Sequence, residues 1–433
     1  MSAGSKLWQG VTAKMVALFS YKVTAADYFT RACSLRSHKR QAVKSGILRI
    51  GLIHKRLDLN GGTERDLFRT AVGLRDLGHE IHLFCSECAV QAPAGVSVHH
   101  VAVPPFGRTA RLWSFAIRAP KIAAAYHCDI VIGFGRILKQ DFLRSGGGSH
   151  RGFLQRLGDQ GGWPRRLWQR LSIYHRSVLA IERRQYQKGG YKKVLAVSEE
   201  VKRDLMINYQ VPEHCIAVLY NGVDRSRFHP NRRDQAHDSI RERWRIPADA
   251  PVVLFIGNGF RRKGLDRLLS VWNSARLKDT WLMVVGDDAR IGRYRAWGDR
   301  VGQGRVIFTG RQSDVENYYA AADLLALPAV QEAFGNVVLE ALSSGLPVLV
   351  SREVGAVEVL SGALLEGIID RPDDPTELES KLLALLKRKN DPEFKETARL
   401  IGTEFSWSNH FQRLETILTR VASDTSGDHE TVT

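Results

Sequence analysis

No stretch of about 18 consecutive apolar residues occurs in this 433-residue chain, so no segment reads as a membrane-spanning helix. The opening residues, MSAGSKLWQGVTAKMVALFSYK, lack the compact apolar run and small-residue cleavage site of a secretory signal, and none is expected. Cysteine is scarce. The five residues Cys33, Cys85, Cys88, Cys128 and Cys215 are an odd, sparse set, which points to a reducing compartment rather than a disulfide framework. Cys85 and Cys88 form a lone CxxC without a second pair, so buried thiols are favoured over a metal or redox pair. Low-complexity tracts and short-period repeats are absent, as are G-x-G-x-x-G and the P-loop pattern, which weakens a nicotinamide or ATP reading. Acidic residues are outnumbered, 46 Asp and Glu against 63 Lys and Arg, and the net charge of +17 implies an acidic partner: nucleic acid, an anionic membrane surface or a phosphorylated ligand. Against these absences stands an ordinary soluble composition, 44% hydrophobic and 25% charged, in a chain long enough for two or three domains.

Short β-branched runs alternate with helical patterns. ILRIGLI (47–53) reads as a buried strand, ERDLFRTAVGLRDLG (64–78) as a helix stopped by Gly78, and HEIHLFC (79–85) as the next strand. DIVIGFG (129–135) and KVLAVS (193–198) continue the series. A second series starts near 251 with PVVLFIGNG, a helix over 264–276, WLMVVGDD, RVIFTG, DLLALP and PVLVS. Two doubly wound α/β domains with parallel sheets are therefore expected, joined near LYNGVDRSRFHPN (219–231), where Asn-Gly and Pro punctuate the chain. The boundaries are a basic extension at 1–46, a first Rossmann-like domain at 47–220, a second at 221–404, a helix at 405–422 and a disordered tail at 423–433. In the extension, Lys6, Lys14 and Lys22 alternate with apolar residues, which suits either a surface-lying amphipathic helix or a poorly ordered segment.

Two glutamates in AVQEAFGNVVLEALSSGLPVLVS stand eight positions apart. On a continuous helix that interval rises about 12 Å and leaves Glu332 and Glu340 on broadly the same side. That span suits a sugar at one end of a nucleotide sugar and a ribose at the other. Between them, FGNVV would place the first helical N–H groups, which attract a diphosphate. The same spacing also suits a dipole-complementing glutamate followed by a satisfied mid-helix one. GNGFRRKG (257–264) leaves a strand and enters a helix with Arg262 and Lys263 beside glycines, a cationic turn able to hold two phosphates or simply a solvated basic turn.

QEAFGNVVLEALSSGLPVLVS resembles the E-x7-E signature of the retaining GT-B glycosyltransferases of family 4. LFIGNGFRRKGLDRLL is similar to that family's phosphate-binding strand–turn–helix, and VSEEVKRDL, LYNGVDRSRFHP and NGGTERDLFRTAVGLRDLGHEIHLF are similar to its interlobe approach, its linker and its first βα unit. RSGGGSHRGFL and the Glu182-Arg183-Arg184 segment resemble the lipopolysaccharide core glucosyltransferase I sub-group. The resemblance implies a GT-B fold, two lobes facing a cleft, with the 405–422 helix packing back on the first lobe. It implies that Glu340 binds the donor ribose and Glu332 the donor sugar, that Phe334, Gly335, Asn336 and Val337 line sugar and phosphates, and that Arg262 and Lys263 grip the diphosphate. Gly61 and Gly62 would let the first βα loop approach donor and acceptor, or merely form a tight turn, with Thr63 and Glu64 opening the helix as a cap. His150, on a flexible glycine loop, and Asp141 are the candidates to orient the acceptor hydroxyl or take its proton, and with Glu332 they form the catalytic set. No D-x-D occurs, so metal-independent transfer is expected, with no cofactor beyond the nucleotide-sugar substrate.

The stretch 163–193 holds nine Lys or Arg against one Glu, interleaved with Trp163, Trp168, Tyr174, Tyr186 and Tyr191. It suits an anionic membrane surface or a phosphorylated glycolipid, with Arg151, Arg165, Arg166, Arg170, Lys192 and Lys193 as contacts. Nucleic acid is not expected, because no helix-turn-helix, RNP or zinc pattern accompanies the charge. The expectation is a cytoplasmic enzyme held at the inner face of the cytoplasmic membrane. It would move a hexose, glucose from UDP-glucose, to an inner-core heptose or similar anionic glycolipid. The alternatives are another hexosyl- or N-acetylhexosaminyltransferase, or a sugar-nucleotide epimerase of the same fold.

Overall fold

The computed structural model describes residues 46–58, 61–155 and 171–427. Most of the basic extension, the aromatic and basic positions Trp163, Arg165, Arg166, Trp168 and Arg170, and residues 428–433 lie outside the described residues.

The first lobe is a seven-stranded sheet of β1 (Arg49–Ile53), β2 (Glu80–Cys85), β3 (Val96–His100), β4 (Ile130–Gly133), β5 (Phe142–Ser145), β6 (Lys193–Ala196) and β7 (Ile216–Val218), in the order β3-β2-β1-β4-β5-β6-β7, parallel throughout. The second lobe holds β8 (Val252–Ile256), β9 (Trp281–Val285), β10 (Val306–Gly310), β11 (Leu324–Leu327), β12 (Val348–Ser351) and β13 (Ile368–Ile369), in the order β10-β9-β8-β11-β12-β13, again parallel. Both orders reverse direction beside the lobe's first strand. Such a switch point opens a crevice beyond the carboxyl ends of the strands, between β1 and β4 in one lobe and between β8 and β11 in the other.

Burial explains the strand sequences. All five residues of β8, VVLFI, are buried, as parallel strands covered by helices on both faces must be. β5 departs from that rule. Its Arg144 is buried in mid-strand, satisfied by Asp66 and two groups of the linker. The helix expected over 264–276 is shorter, Leu265–Val271, and a separate 3₁₀ turn at Ala275–Leu277 follows it.

The final helix, Trp407–Gly427, lies back on the first lobe. Leu414 and Leu418 join Leu67, Ala71 and Leu74 in one apolar cluster, and a Cβ at Gly73 would come within 2.2 Å of the Phe411 ring. The helix extends beyond residue 422, where a disordered tail was expected. Val223 bridges Ser406 across the two interlobe crossings.

Candidate active site

The carboxyl end of β8 turns through Gly257 and Gly259, with φ of +139° and +73°, into a single helical turn, Phe260–Lys263. The turn is fixed from both sides. The Phe260 N–H donates to Asp288 Oδ2 at 2.9 Å, and the Lys263 side chain folds across Gly257, where a Cβ would lie 2.5 Å from its Cδ and Cε. A Cβ on Gly264, at φ +84°, would meet the Pro328 carbonyl at 1.9 Å, so this turn abuts the loop after β11. The Val330 N–H donates to the Arg262 carbonyl at 2.8 Å, which ties the two loops together at the switch point.

That loop carries Glu332. Its carboxylate accepts from Arg262 Nη1 at 2.6 Å and lies 3.3 Å from Lys263 Nζ. Burial works to raise its pKa, but Lys263 and then Arg262 outweigh that effect and hold the carboxyl below the usual range, so it is ionised. The helix starts between the two glutamates, within FGNVV, rather than running through both. The helix spans Asn336–Ser343, with Gly335 as its N-cap at φ +91°, so Glu332 stands on the preceding loop and pairs there with Val354. Gly335 is required by its backbone and by Val354 Cγ1, 2.9 Å from a hypothetical Cβ. Phe334 is buried and stacks on Tyr220 of the linker, and Val337 is partly buried. The first N–H groups of the helix, at Asn336 and Val337, have no acceptor within it. Glu340 lies one turn in and accepts from the Tyr319 hydroxyl at 2.7 Å. Arg262, Lys263, Glu332, Asn336 and Glu340 therefore surround one helix mouth.

The first lobe meets this mouth with its own carboxyl edge. Ser198, fully buried after β6, donates its hydroxyl to the Ala333 carbonyl at 2.8 Å while accepting from the Val201 N–H. Glu358 of the second lobe accepts from the N–H groups of Glu199 and Glu200 at 2.7 and 2.9 Å. Asn221 of the linker donates to Asn336 Oδ1 at 2.7 Å. Ser198, Asn221 and Glu358 were not singled out from sequence. The helix-cap position of Ser198 and the Asn-Gly punctuation were the only signals.

Other candidates fall elsewhere. Gly61 is the N-cap of the helix Gly62–Asp76, so the helix starts one residue before the expected Thr63–Glu64 cap. A Cβ at Gly61 would collide with Glu64 Oε2 at 1.9 Å, whereas one at Gly62 meets nothing. Glu64 Oε1 lies 3.4 Å from His54 Nε2 at the end of β1, and that hydrogen bond lowers the Glu64 pKa. His54 is a further residue at the first lobe's switch point that sequence reading passed over.

His150 follows β5 on the cleft-facing edge, but its loop is pinned rather than flexible. The Ser149 N–H donates to Asp204 and the His150 N–H to both oxygens of Glu182. The His150 ring is hydrogen-bonded to His175 across 2.9 Å, and burial, then Arg136 and His175, lower its pKa to about 4. Arg151 donates to the Asn208 carbonyl. Among the described residues, His150 makes its hydrogen bonds and ring contacts with Glu182, His175 and Phe153, all within the first lobe. Asp141 precedes β5, at the opposite edge of the sheet from the cleft, and its oxygens engage the Val131 N–H and Lys192. The structure does not bring it to the other candidates.

In the basic stretch, Tyr186 is a core residue stacked on Tyr209, not an interfacial one. Lys193 donates to the His214 carbonyl. Cys85 and Cys88 are free thiols with sulfurs 2.9 Å apart. Among the described residues, no cluster of three or more His, Cys, Asp or Glu could hold a metal ion, and no helix is long and apolar enough to cross a membrane.

Comparison with known proteins places this geometry. Residues 60–227 match the family model described as Glycosyltransferase Family 4, and residues 250–388 match that of Glycosyl transferases group 1, together more than half of the chain. The lipopolysaccharide glucosyltransferase WaaG of Escherichia coli is 27% identical over 330 residues, covering 74% of this chain and 85% of that protein. A crystal structure of WaaG aligns with TM-score 0.69 at 23% identity, over 86% of this chain and 99% of that one. The Anabaena protein HepE, solved in complex with UDP-glucose, aligns with TM-score 0.62 at 18% identity, over 86% of this chain and 100% of its own. With two doubly wound lobes meeting at one helix mouth, the chain belongs to the family 4, group 1 glycosyltransferases of GT-B architecture.

Proposed function

We propose that this glycosyltransferase moves a hexose, glucose from UDP-glucose, onto an inner-core heptose or a similar anionic glycolipid of lipopolysaccharide, with retention of configuration and without a metal ion. The observation that carries the reading is the Arg262–Glu332–Lys263 cluster at the mouth of the Asn336–Ser343 helix, one turn from Glu340. Two cations and free helical N–H groups form a site for a diphosphate. Glu332 lies between the two cations and supplies the negative charge that pairs with them. On donor binding the diphosphate takes over that role, and the Glu332 carboxylate turns to the sugar hydroxyls. Glu340, already ordered by Tyr319, accepts from the ribose. As the sugar leaves, Arg262, Lys263 and the helix mouth meet the charge that develops on the diphosphate.

The acceptor approaches from the first lobe, past Gly62 and His54. The names of two relatives support a lipopolysaccharide substrate: the E. coli glucosyltransferase and a Salmonella typhimurium lipopolysaccharide 1,2-N-acetylglucosaminetransferase, 27% identical over 48% of this chain. The first lobe also suits the inner face of the cytoplasmic membrane. Phe106 and Ile173 are exposed next to Arg108 and Tyr174, whose guanidinium and ring stack at 3.8 Å, and Leu171 is exposed beside them.

The test is a thermal-shift screen of UDP-, GDP- and ADP-sugars, followed by NMR assignment of the product's anomeric configuration with and without EDTA. Selective stabilisation by UDP-glucose and an EDTA-insensitive α-linked product support the reading. An inverted product, or turnover abolished by EDTA and restored by a divalent cation, overturns it.

A further inference from the structure

Four side chains run from the interior of the first lobe to the helix mouth of the second. Asp66 and Arg144 form a buried ion pair at 3.0 Å, and Arg144 Nη1 also donates to the Leu219 carbonyl. Arg144 Nη2 donates to Asn221 Oδ1 at 2.5 Å, and Asn221 Nδ2 donates to Asn336 Oδ1 at 2.7 Å.

The chemistry of this chain has one direction. A guanidinium has five N–H donors and no acceptor, so the amide atom facing Arg144 must be the Asn221 oxygen. The Asn221 NH₂ is thereby turned to Asn336, and the Asn336 oxygen is turned back to Asn221. Asn336 is then left with its NH₂ as the group not engaged by the relay, and among the described residues no acceptor meets it. An asparagine amide alone presents oxygen or nitrogen with similar ease. Here an arginine two residues removed along the relay decides which.

We propose that Arg144 and Asn221 are positioning residues that lock Asn336 as a hydrogen-bond donor at the helix mouth, matched to the anionic oxygens of a nucleoside diphosphate. This rests on the donor-site reading above. It adds that the first lobe and linker set the polarity of a group in the second lobe, so donor affinity depends on the lobes being docked as they are here.

The test uses a near-isosteric inversion. In Asn221→Asp the carboxylate still accepts from Arg144, now as an ion pair, but has nothing to donate. Asn336 must rotate its NH₂ toward the new carboxylate and present its oxygen to the diphosphate. UDP affinity is measured by calorimetry on the full chain for wild type, Asn221→Asp, Asn336→Ala, the double variant and Lys263→Met, with GDP or ADP substituted where the donor screen selects them. Asn221→Asp is expected to weaken binding about tenfold, the scale of one hydrogen bond to a charged group. Its urea midpoint should not fall, and in the Asn336→Ala background its effect should shrink to within about twofold. Undiminished affinity, or a loss that adds in full to that of Asn336→Ala, overturns the relay. Asn336→Asp probes the same point from the other side: its carboxylate accepts from Asn221 and has no N–H to offer, so equal loss is expected and unchanged binding is refuting. Lys263→Met separates the two levels. If it abolishes binding while Asn221→Asp does not, only the relay fails. If Lys263→Met binds UDP normally, the donor-site reading fails.

Discussion

Alanine at Gly257 would place a methyl group 2.5 Å from Cδ and Cε of Lys263 and 2.8 Å from its Nζ. The atoms it meets are the far end of a flexible chain, so the lysine swings away rather than forcing the sheet apart. Two consequences differ in size and in assay. The backbone at Gly257, at φ +139°, suits glycine, and a side chain there costs on the order of 1–3 kcal/mol of stability. The displaced ammonium leaves Glu332, now 3.3 Å away, and leaves the place where the diphosphate charge is met. A hydrogen bond to a charged group contributes about 1.5–3 kcal/mol, which is about ten- to more than a hundredfold in affinity. Gly257→Ala should therefore lose both urea stability and UDP affinity by calorimetry. Lys263→Met should reproduce the affinity loss, and the double variant should bind no worse than Lys263→Met alone. If Gly257→Ala is destabilised but binds UDP within about twofold of wild type, the position of Lys263 over Gly257 is not what holds the diphosphate.

Glu332→Gln separates product from substrate: UDP should bind at least as tightly as to wild type, because a competing carboxylate is gone, while steady-state turnover falls at least about a hundredfold. The depressed pKa of Glu332 also gives a pH signature. Its contribution to stability is complete above the ordinary carboxylate pKa and is lost as pH falls through the folded value, so the acid limb of urea midpoints should be shallower in Glu332→Gln. His150, with a folded pKa of about 4 below the usual 6.5, takes up its proton more readily unfolded. Its contribution is present above about pH 6.5 and is lost toward pH 4, so NMR should show a ring neutral at pH 6, and His150→Gln should flatten stability over that window. Gly355→Ala sets a Cβ 2.2 Å from the Ala333 carbonyl and 2.9 Å from Ser198 Cβ, and should lower both the unfolding midpoint and donor affinity by prising the lobes apart at the donor loop.

The strands that the sequence made legible, such as VVLFI and LLAL, are those buried on both faces, where packing leaves only apolar choices. The strand Phe142–Ser145 was invisible because Arg144 interrupts its apolar run, and an arginine in a core is intelligible only once Asp66, 78 residues away, is seen beside it. The cationic turn and both glutamates were also readable, since a glycine turn after a strand and a glycine before a helix constrain the chain locally. Their arrangement was not. Glu332, on the loop before Gly335, pairs with Arg262 and Lys263, Asp141 fell on the edge of its sheet away from the cleft, and His150 was drawn toward His175 and Glu182. Local propensity and periodicity act over a few residues and so determine elements, turns and the types of charge at each turn. Which of those charges share a site depends on contacts between distant segments, Ser198 with Ala333 or Asn221 with Asn336, and only the folded chain brings such segments together.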